Sequence, residues 1–346
     1  MAEHASNSTD KATIFDVAEM SGVSIKTVSR VVNNEPNVRG KTREKVLAAI
    51  EKLNYQPNSA ARGLSGKRSF TIGLIYENPH EFSYVGAVLN GVLHACEEEG
   101  YSLVLRPLTL PDPNLVQRVS TFVAQSRLDG IVLPPPLCDD AALLDELARL
   151  DIPCATLSPR EAREGTISVM CEEEQASFEL TRHLLEQAHR VIGFVKGHPD
   201  HGATDKRLAG YRRALKESGI KFTPSLVKQG YFDFESGKKA AAKMLDLDSP
   251  PTVIVASNDD MAAGIIFEAR ERGIAVPQDL SVVGFDDTPL ASHIWPTLTT
   301  VRQPIEQMAD SATRKLIGLL CGDENVPLSE SYQCEVVMRN STASID

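Results

Sequence analysis

Six cysteines, Cys96, Cys138, Cys154, Cys171, Cys321 and Cys334, are scattered with no C-x-x-C pair and no H-x-x-x-H partner, so no zinc site is written into the chain. They are expected to be reduced thiols. No run approaches the roughly 18 apolar residues of a membrane span, and residues 1–10, M-A-E-H-A-S-N-S-T-D, lack the apolar stretch of an export signal. A cytoplasmic protein is expected. Reactive constellations are missing as well: there is no G-x-S-x-G, G-x-G-x-x-G or H-E-x-x-H, and Gly63 to Arg68, G-L-S-G-K-R, has neither the spacing nor the Ser/Thr of a phosphate loop. Neither an enzyme nor a cofactor is expected. His198 and His201, in G-H-P-D-H-G, have no clear third ligand and read as loop polar groups, so no metal is expected either. Positive charge is also scarce, 36 Lys and Arg against 47 Asp and Glu for a net charge of −11.

That deficit is uneven. Residues 1–68 carry 11 Lys and Arg against 7 Asp and Glu, net +4, which leaves 25 against 40, net −15, for residues 69–346. A basic end suited to phosphate thus precedes an acidic body that avoids it. Within the basic end, Thr13 to Asn33 reads T-I-F-D-V-A-E-M-S-G-V-S-I-K-T-V-S-R-V-V-N. Thr13 is an N-cap with Asp16 three positions on, and Ile14, Val17 and Ala18 form an apolar face. Gly22 supplies a tight turn, and Ser24 caps a second helix whose Val28, Val31 and Val32 point inward. The face left over carries Ile25, Lys26, Thr27, Ser29, Arg30 and Asn33, a mixture of long donors, hydroxyls and a methyl that suits base edges and phosphates in a major groove. A third helix is expected from about Lys41 to Leu53.

From Phe70 onward, short continuous apolar runs alternate with amphipathic segments. Strands are expected at Phe70–Tyr76, Ser102–Arg106, Gly130–Pro134 and Cys154–Leu157, then at Val191–Val195, Thr252–Ala256 and Ser281–Phe285. Helices are expected at Tyr84–Glu99 and near Gln175–Gln187, Lys206–Ser218, Glu235–Leu245 and Asn258–Arg272. Two such series predict an α/β body of two lobes, each a doubly wound parallel sheet, with ligand bound beyond the carboxyl ends of the strands where the lobes face each other.

The segment T-V-S-R-V-V-N at Thr27 to Asn33, and Tyr55 to Leu64, Y-Q-P-N-S-A-A-R-G-L, resemble the lactose and galactose repressor family of bacterial transcription regulators, and the match runs through the rest of the chain. The resemblance implies a helix-turn-helix head over residues 11–57, a hinge helix and linker over 58–68, and a core over 69–346 similar to periplasmic sugar-binding proteins. Lobe one would take about 69–169 and 303–332, lobe two about 170–302 and 333–346. It implies further that Arg207, Asn258 and Asp286 hold effector hydroxyls or charged groups and that Phe232 packs on the effector ring, with Asp259, Tyr76, Asn78 and Ser158 as further contacts. Each has a plainer alternative: Asn258 as a helix cap, Asp286 as a strand end, Arg207 in an ion pair, Phe232 in the core. Two loops depart from the usual family pattern. Tyr76 to Tyr84 is one residue longer, and Ser158-Pro159-Arg160 stands where several relatives place an aspartate, so no particular sugar can be carried over.

In the family, paired hinge helices enter the minor groove and a leucine at the Leu64 position wedges between base pairs. Asn58, Ala60, Ala61, Arg62 and Leu64 would then join Thr13 and Ser24 among the DNA contacts. Asn58 to Leu64 is too short to be a stable helix alone, below the roughly 12–15 residues needed in water, so it is expected to fold only against DNA and a partner subunit. One recognition helix reads few base pairs, so a homodimer on a near-palindromic double-stranded operator is expected, and no leucine heptad tail suggests further assembly. The function implied is a sequence-specific repressor whose operator affinity is controlled by a small effector, a sugar or glycoside, between the lobes. The alternative is a periplasmic-type sugar carrier, which would have no use for residues 13–64.

Overall fold

The computed structural model describes residues 12–32, 38–55, 68–77 and 83–345, and the chain divides into two units between Phe70 and Thr71. In the head, α1 (Ile14–Ser21) begins after Thr13, whose backbone N–H and hydroxyl both donate to the Asp16 carboxylate at 2.7 Å. Those bonds hold Asp16 below its ordinary pKa, at the end of the helix that favours negative charge. Gly22 closes α1 in the left-handed region at φ 68°, a conformation that costs a residue without Cβ nothing. Ser24 Oγ accepts the Thr27 N–H at 3.2 Å and so caps α2 (Ile25–Val32). With α3 (Gly40–Leu53) these helices bury Val17, Ala18, Val28, Val31, Val46 and Ala49, while Val32, expected inside, is only half-buried.

The body runs, in chain order, β1 (Thr71–Glu77), α4 (Ser83–Glu99), β2 (Ser102–Leu108), α5 (Leu115–Ser126), β3 (Gly130–Leu133), α6 (Ala141–Arg149), β4 (Cys154–Leu157) and β5 (Ile167–Cys171). It continues with α7 (Glu173–Glu186), β6 (Ile192–Lys196), α8 (Gly202–Glu217), β7 (Val227–Gln229), α9 (Phe234–Leu245), β8 (Val253–Ala256), α10 (Asp259–Glu271), β9 (Ser281–Val283) and α11 (Pro289–His293). The last elements are β10 (Thr300–Arg302), α12 (Ile305–Leu320), β11 (Ser329–Tyr332) and β12 (Glu335–Val337). One parallel sheet has the order β11-β5-β4-β3-β1-β2 and a second β7-β6-β8-β9, while β10 and β12 pair antiparallel. Apolar side chains cover both faces of the second sheet: Phe194 and Val255 meet Tyr211 and Leu184 on one side, and Ile254 and Val282 meet Met244 and Met261 on the other. Burial on both faces is what makes such strands read as unbroken apolar runs.

Three passages of chain join the two halves, after β5, between β10 and α12, and between β11 and β12. The first follows Cys171, where β5 ends its pairing with β11. Strands β5, β7, β10, β11 and β12 and helices α5, α6, α11 and α12 have no counterpart among the elements expected from the sequence. Among the described residues no helix is long and apolar enough to cross a membrane.

Candidate functional site

The carboxyl ends of both sheets open onto one cavity of about 440 Å³, within the range of small-molecule sites. From the first sheet come Glu77 at the end of β1, Pro135 beyond β3 and Ser158 beyond β4; from the second come His198 beyond β6, Tyr231 and Phe232 beyond β7, Asn258 beyond β8 and Asp286 beyond β9. Helix α7 adds Glu173, α8 adds Arg207, and α4 adds Tyr84. Parallel strands all end on the same side, which is why residues so far apart in sequence converge here.

Arg207 is the hub. Its guanidinium donates to Glu173 Oε1 through Nε at 3.2 Å and Nη2 at 2.7 Å, donates through Nη1 to the Ser257 carbonyl, and lies 3.5 Å from Asp286 Oδ1. It also stacks 3.8 Å from the centre of the Phe285 ring. Asp286 is buried and accepts a 2.6 Å bond from Gln303 Nε2, while Gln303 Oε1 accepts from Cys171 Sγ at 2.9 Å, so β5 and the end of β9 are tied together through the crossover before α12. Burial outweighs the nearby guanidinium and pushes the Asp286 carboxyl up to about 8. Burial likewise pushes the His201 imidazole down to about 3, with His198 and Arg207 adding to it, so that ring is neutral near pH 7.

Asn258 lines the cavity and caps α10 at once: Oδ1 accepts the Met261 N–H at 3.0 Å and Nδ2 donates to the Phe232 carbonyl at 2.9 Å. The Phe232 ring stands 5.2 Å from that of His201. Three lining residues hold left-handed backbones, Ser158 at φ 46°, Phe232 at 64° and Asp286 at 110°. Such positions cost on the order of 1–3 kcal/mol each and gather at binding sites, where the surrounding structure fixes them. Gly197 supports the ring arrangement, because a Cβ there would collide with the Phe232 ring. Gly197→Ala is therefore expected to push that ring into the cavity at about 1–3 kcal/mol of overpacking, weakening ligand binding roughly tenfold or more. Calorimetry with a bound sugar checks this; unchanged affinity would mean the ring yields without narrowing the site.

Of the residues expected at the effector, Arg207, Phe232, Asn258, Asp286 and Ser158 line this cavity. Asp259 does not. It points inward from the first turn of α10, where its carboxylate accepts bonds from Thr288 N at 2.7 Å and Thr300 Oγ1 at 2.6 Å, and burial pushes it up to about 6. Tyr76 is buried and also off the wall, since neighbouring residues of a strand face opposite sides and Glu77 takes the cavity side. Asn78 lies outside the described residues. Glu77, Tyr84, Glu173, Tyr231 and Asp260 line the cavity without having been singled out, and His198 and His201, read as plain loop groups, line it too. Among the described residues no three His, Cys, Asp or Glu side chains gather as a metal site.

In the head, Thr13, Ser24, Ile25 and Lys26 are exposed and Thr27, Ser29 and Arg30 half-buried, with the Ser24 and Thr27 hydroxyls 2.9 Å apart. Asn33, Asn58, Ala60, Ala61, Arg62 and Leu64 lie outside the described residues.

A helix-turn-helix followed by two parallel sheets with a ligand-sized cavity between them defines a DNA-binding regulator that senses a small molecule. The model for "Bacterial regulatory proteins, lacI family" matches residues 13–58, and that for a periplasmic binding protein-like domain matches 181–342. HTH-type transcriptional regulator DegA of Bacillus subtilis (strain 168) is 35% identical over 97% of this chain and 99% of its own. Among solved structures, a Lac repressor dimer bound to operator and the anti-inducer ONPF superposes with a TM-score of 0.75 at 30% identity, covering 96% of this chain and 99% of that one. A transcriptional regulator CelR–cellobiose complex does so at 0.72 and 30%, covering 95% and 99%. The chain belongs to the lacI family of bacterial regulatory proteins, and it is a DNA-binding transcriptional regulator, neither a sugar carrier nor an enzyme.

Proposed function

We propose that this protein is a cytoplasmic repressor that binds a near-palindromic operator as a homodimer and is controlled by a sugar or glycoside held between its two sheets. The observation that carries the reading is the cavity wall itself: Arg207, Asn258 and Asp286 offer polar groups beside the Phe232 ring, an arrangement suited to hydroxyls on one edge of a sugar and C–H groups on its face. That a CelR structure holds cellobiose and a Lac repressor structure holds ONPF supports it. Effector binding changes the relation of the two sheets, which the hinge at 58–68 passes to the operator-bound heads. The cytoplasm follows from the DNA partner.

Fluorescence anisotropy on a labelled fragment from upstream of the gene, at stated salt and with a panel of sugars, tests this. A sugar that changes operator affinity is the expected result, a fall marking an inducer and a rise a co-repressor; no specific binding under any condition rules the reading out. In the same assay Lys26→Ala, which removes an exposed cation from α2, is expected to weaken operator binding and to reduce the slope of log K against log salt by about 1 if Lys26 meets phosphate. If it reads a base instead, discrimination at one position of each half-site falls and the slope stays. Unchanged affinity, slope and sequence preference would remove Lys26 from the interface.

A further inference from the structure

Glu173 is the first residue of α7, two positions past the end of β5, and its side chain is 1% exposed. Its two carboxylate oxygens differ. Oε1 receives both Nε and Nη2 of Arg207, whereas Oε2 is buried, belongs to a residue of the cavity wall, and accepts no hydrogen bond from any described residue. A buried acceptor left in that state is stabilised by any donor brought to it. The rest of the wall adds the carboxylates Glu77, Asp233 and Asp260, and Arg207, already engaged by Glu173 and the Ser257 carbonyl, is the one Lys or Arg among the described lining residues. Burial first, and the Glu173 charge with it, hold the Tyr84 phenol on the same wall above its ordinary pKa. A phosphate or carboxylate placed here would meet like charge on several sides at low dielectric.

We propose that the effector is a sugar bearing no phosphate or carboxylate, and that Glu173 selects it by accepting a hydrogen bond at Oε2 from one of its hydroxyl or ammonium groups. This rests on the sugar-responsive reading above and deepens it, making Glu173 a specificity-determining residue. Hydrogen bonds to charged acceptors are strong, and a site built around one rejects analogues that cannot complete it.

Isothermal titration of the full-length protein tests this with three sets of probes: glucose, galactose, lactose and cellobiose; glucosamine and galactosamine; glucose 6-phosphate and glucuronate. The expected binders come from the first two sets, and comparing each amino sugar with its parent tells an ammonium donor from a hydroxyl. Glu173→Gln replaces one acceptor oxygen by an amide donor, and Glu173→Asp keeps the charge beside Arg207 but withdraws the oxygen by one methylene. Each is expected to weaken the binder roughly 10- to 100-fold, as the loss of a charged hydrogen bond predicts, with thermal melting recorded to establish that the variant folds. Should the glutamine variant fail to fold, the aspartate variant and the wild-type panel decide. An anionic probe bound as tightly as its neutral parent, or wild-type affinity in the aspartate variant, overturns the proposal and leaves the sugar reading standing. No binding from any set overturns the sugar reading, and the proposal with it.

Discussion

Arg207→Ala is expected to lower the stability of the body by about 3–5 kcal/mol, the usual cost of removing one partner from a buried ion pair. The deletion strands the Glu173 carboxylate, whose side chain is 1% exposed, removes the cation beside the buried Asp286, and leaves the Ser257 carbonyl without its donor. For a domain of this size each kcal/mol is worth roughly 2–4 °C in melting temperature, so a fall on the order of 10 °C should be seen by calorimetry near pH 7. Sugar binding should vanish with it. Arg207→Lys is expected to fall between the two, because an ammonium cannot send Nε and Nη2 together to one carboxylate oxygen while Nη1 reaches a carbonyl. A melting temperature within about 2 °C of wild type, a shift worth less than roughly 1 kcal/mol, would show that Glu173 and Asp286 do not depend on this guanidinium.

The head was legible because its signals are local. Thr13, Gly22 and Ser24 each act within four residues, so caps and turn could be placed from the sequence, and the structure puts α1 between Thr13 and Gly22 and starts α2 directly after Ser24. Strands β1, β3, β4, β6, β8 and β9 were legible as apolar runs for a different reason, burial on both faces, while β2, at the sheet edge and partly exposed, was legible from its S-L-V-L run alone. The strands that were not, β7 and β10 to β12, have three or four residues and owe their existence to partners far along the chain, as Thr300 to Arg302 do to Glu335 to Val337. Missing β5 had a functional cost. Glu173 stands in a run of three glutamates that reads as the solvated start of a helix, and only the end of a recognised strand just before it would have marked it as a cavity residue. Fine direction was lost as well. Asn258 faces the cavity while Asp259, one residue on, turns to Thr288 and Thr300, and Glu77 faces it while Tyr76 does not. A motif locates such a pair, but the side each member takes depends on helix phase and strand parity.

Asp286 should give the body a stability that falls as pH rises from about 6.5 to about 8. The sign follows from proton counts. Its carboxyl has an ordinary value near 3.8 and is pushed to about 8 by burial, with the Asp259 and Asp260 carboxyls adding to burial and Arg207 and Gln303 opposing it. Between those limits the folded state holds a proton that the unfolded state has released, so the stability this group contributes is complete below the unfolded value and is lost as pH passes through the folded one. Other groups blur the lower part of the window. Asp259, raised to about 6, acts in the same direction below that value, while His201 and His189, whose folded values are depressed from 6.5, favour folding more as pH rises toward 6.5. Above 6.5 these contributions are spent; His94, held above 6.5 by its hydrogen bond to Asp310, loses stability in the same direction as Asp286, so the comparison with a variant at 286 isolates the Asp286 part. A full proton is worth 1.36 kcal/mol per pH unit, and with Arg207 close by a loss on the order of 1 kcal/mol across this window is expected, or roughly 2–4 °C. Asp286→Asn cannot titrate at this position, so its melting temperature should fall less than that of wild type from pH 6.5 to 8.5 and should gain on wild type as the pH rises. Parallel melting curves for the two proteins over that range would mean that the Arg207 guanidinium keeps Asp286 charged, and that burial does not win at this position.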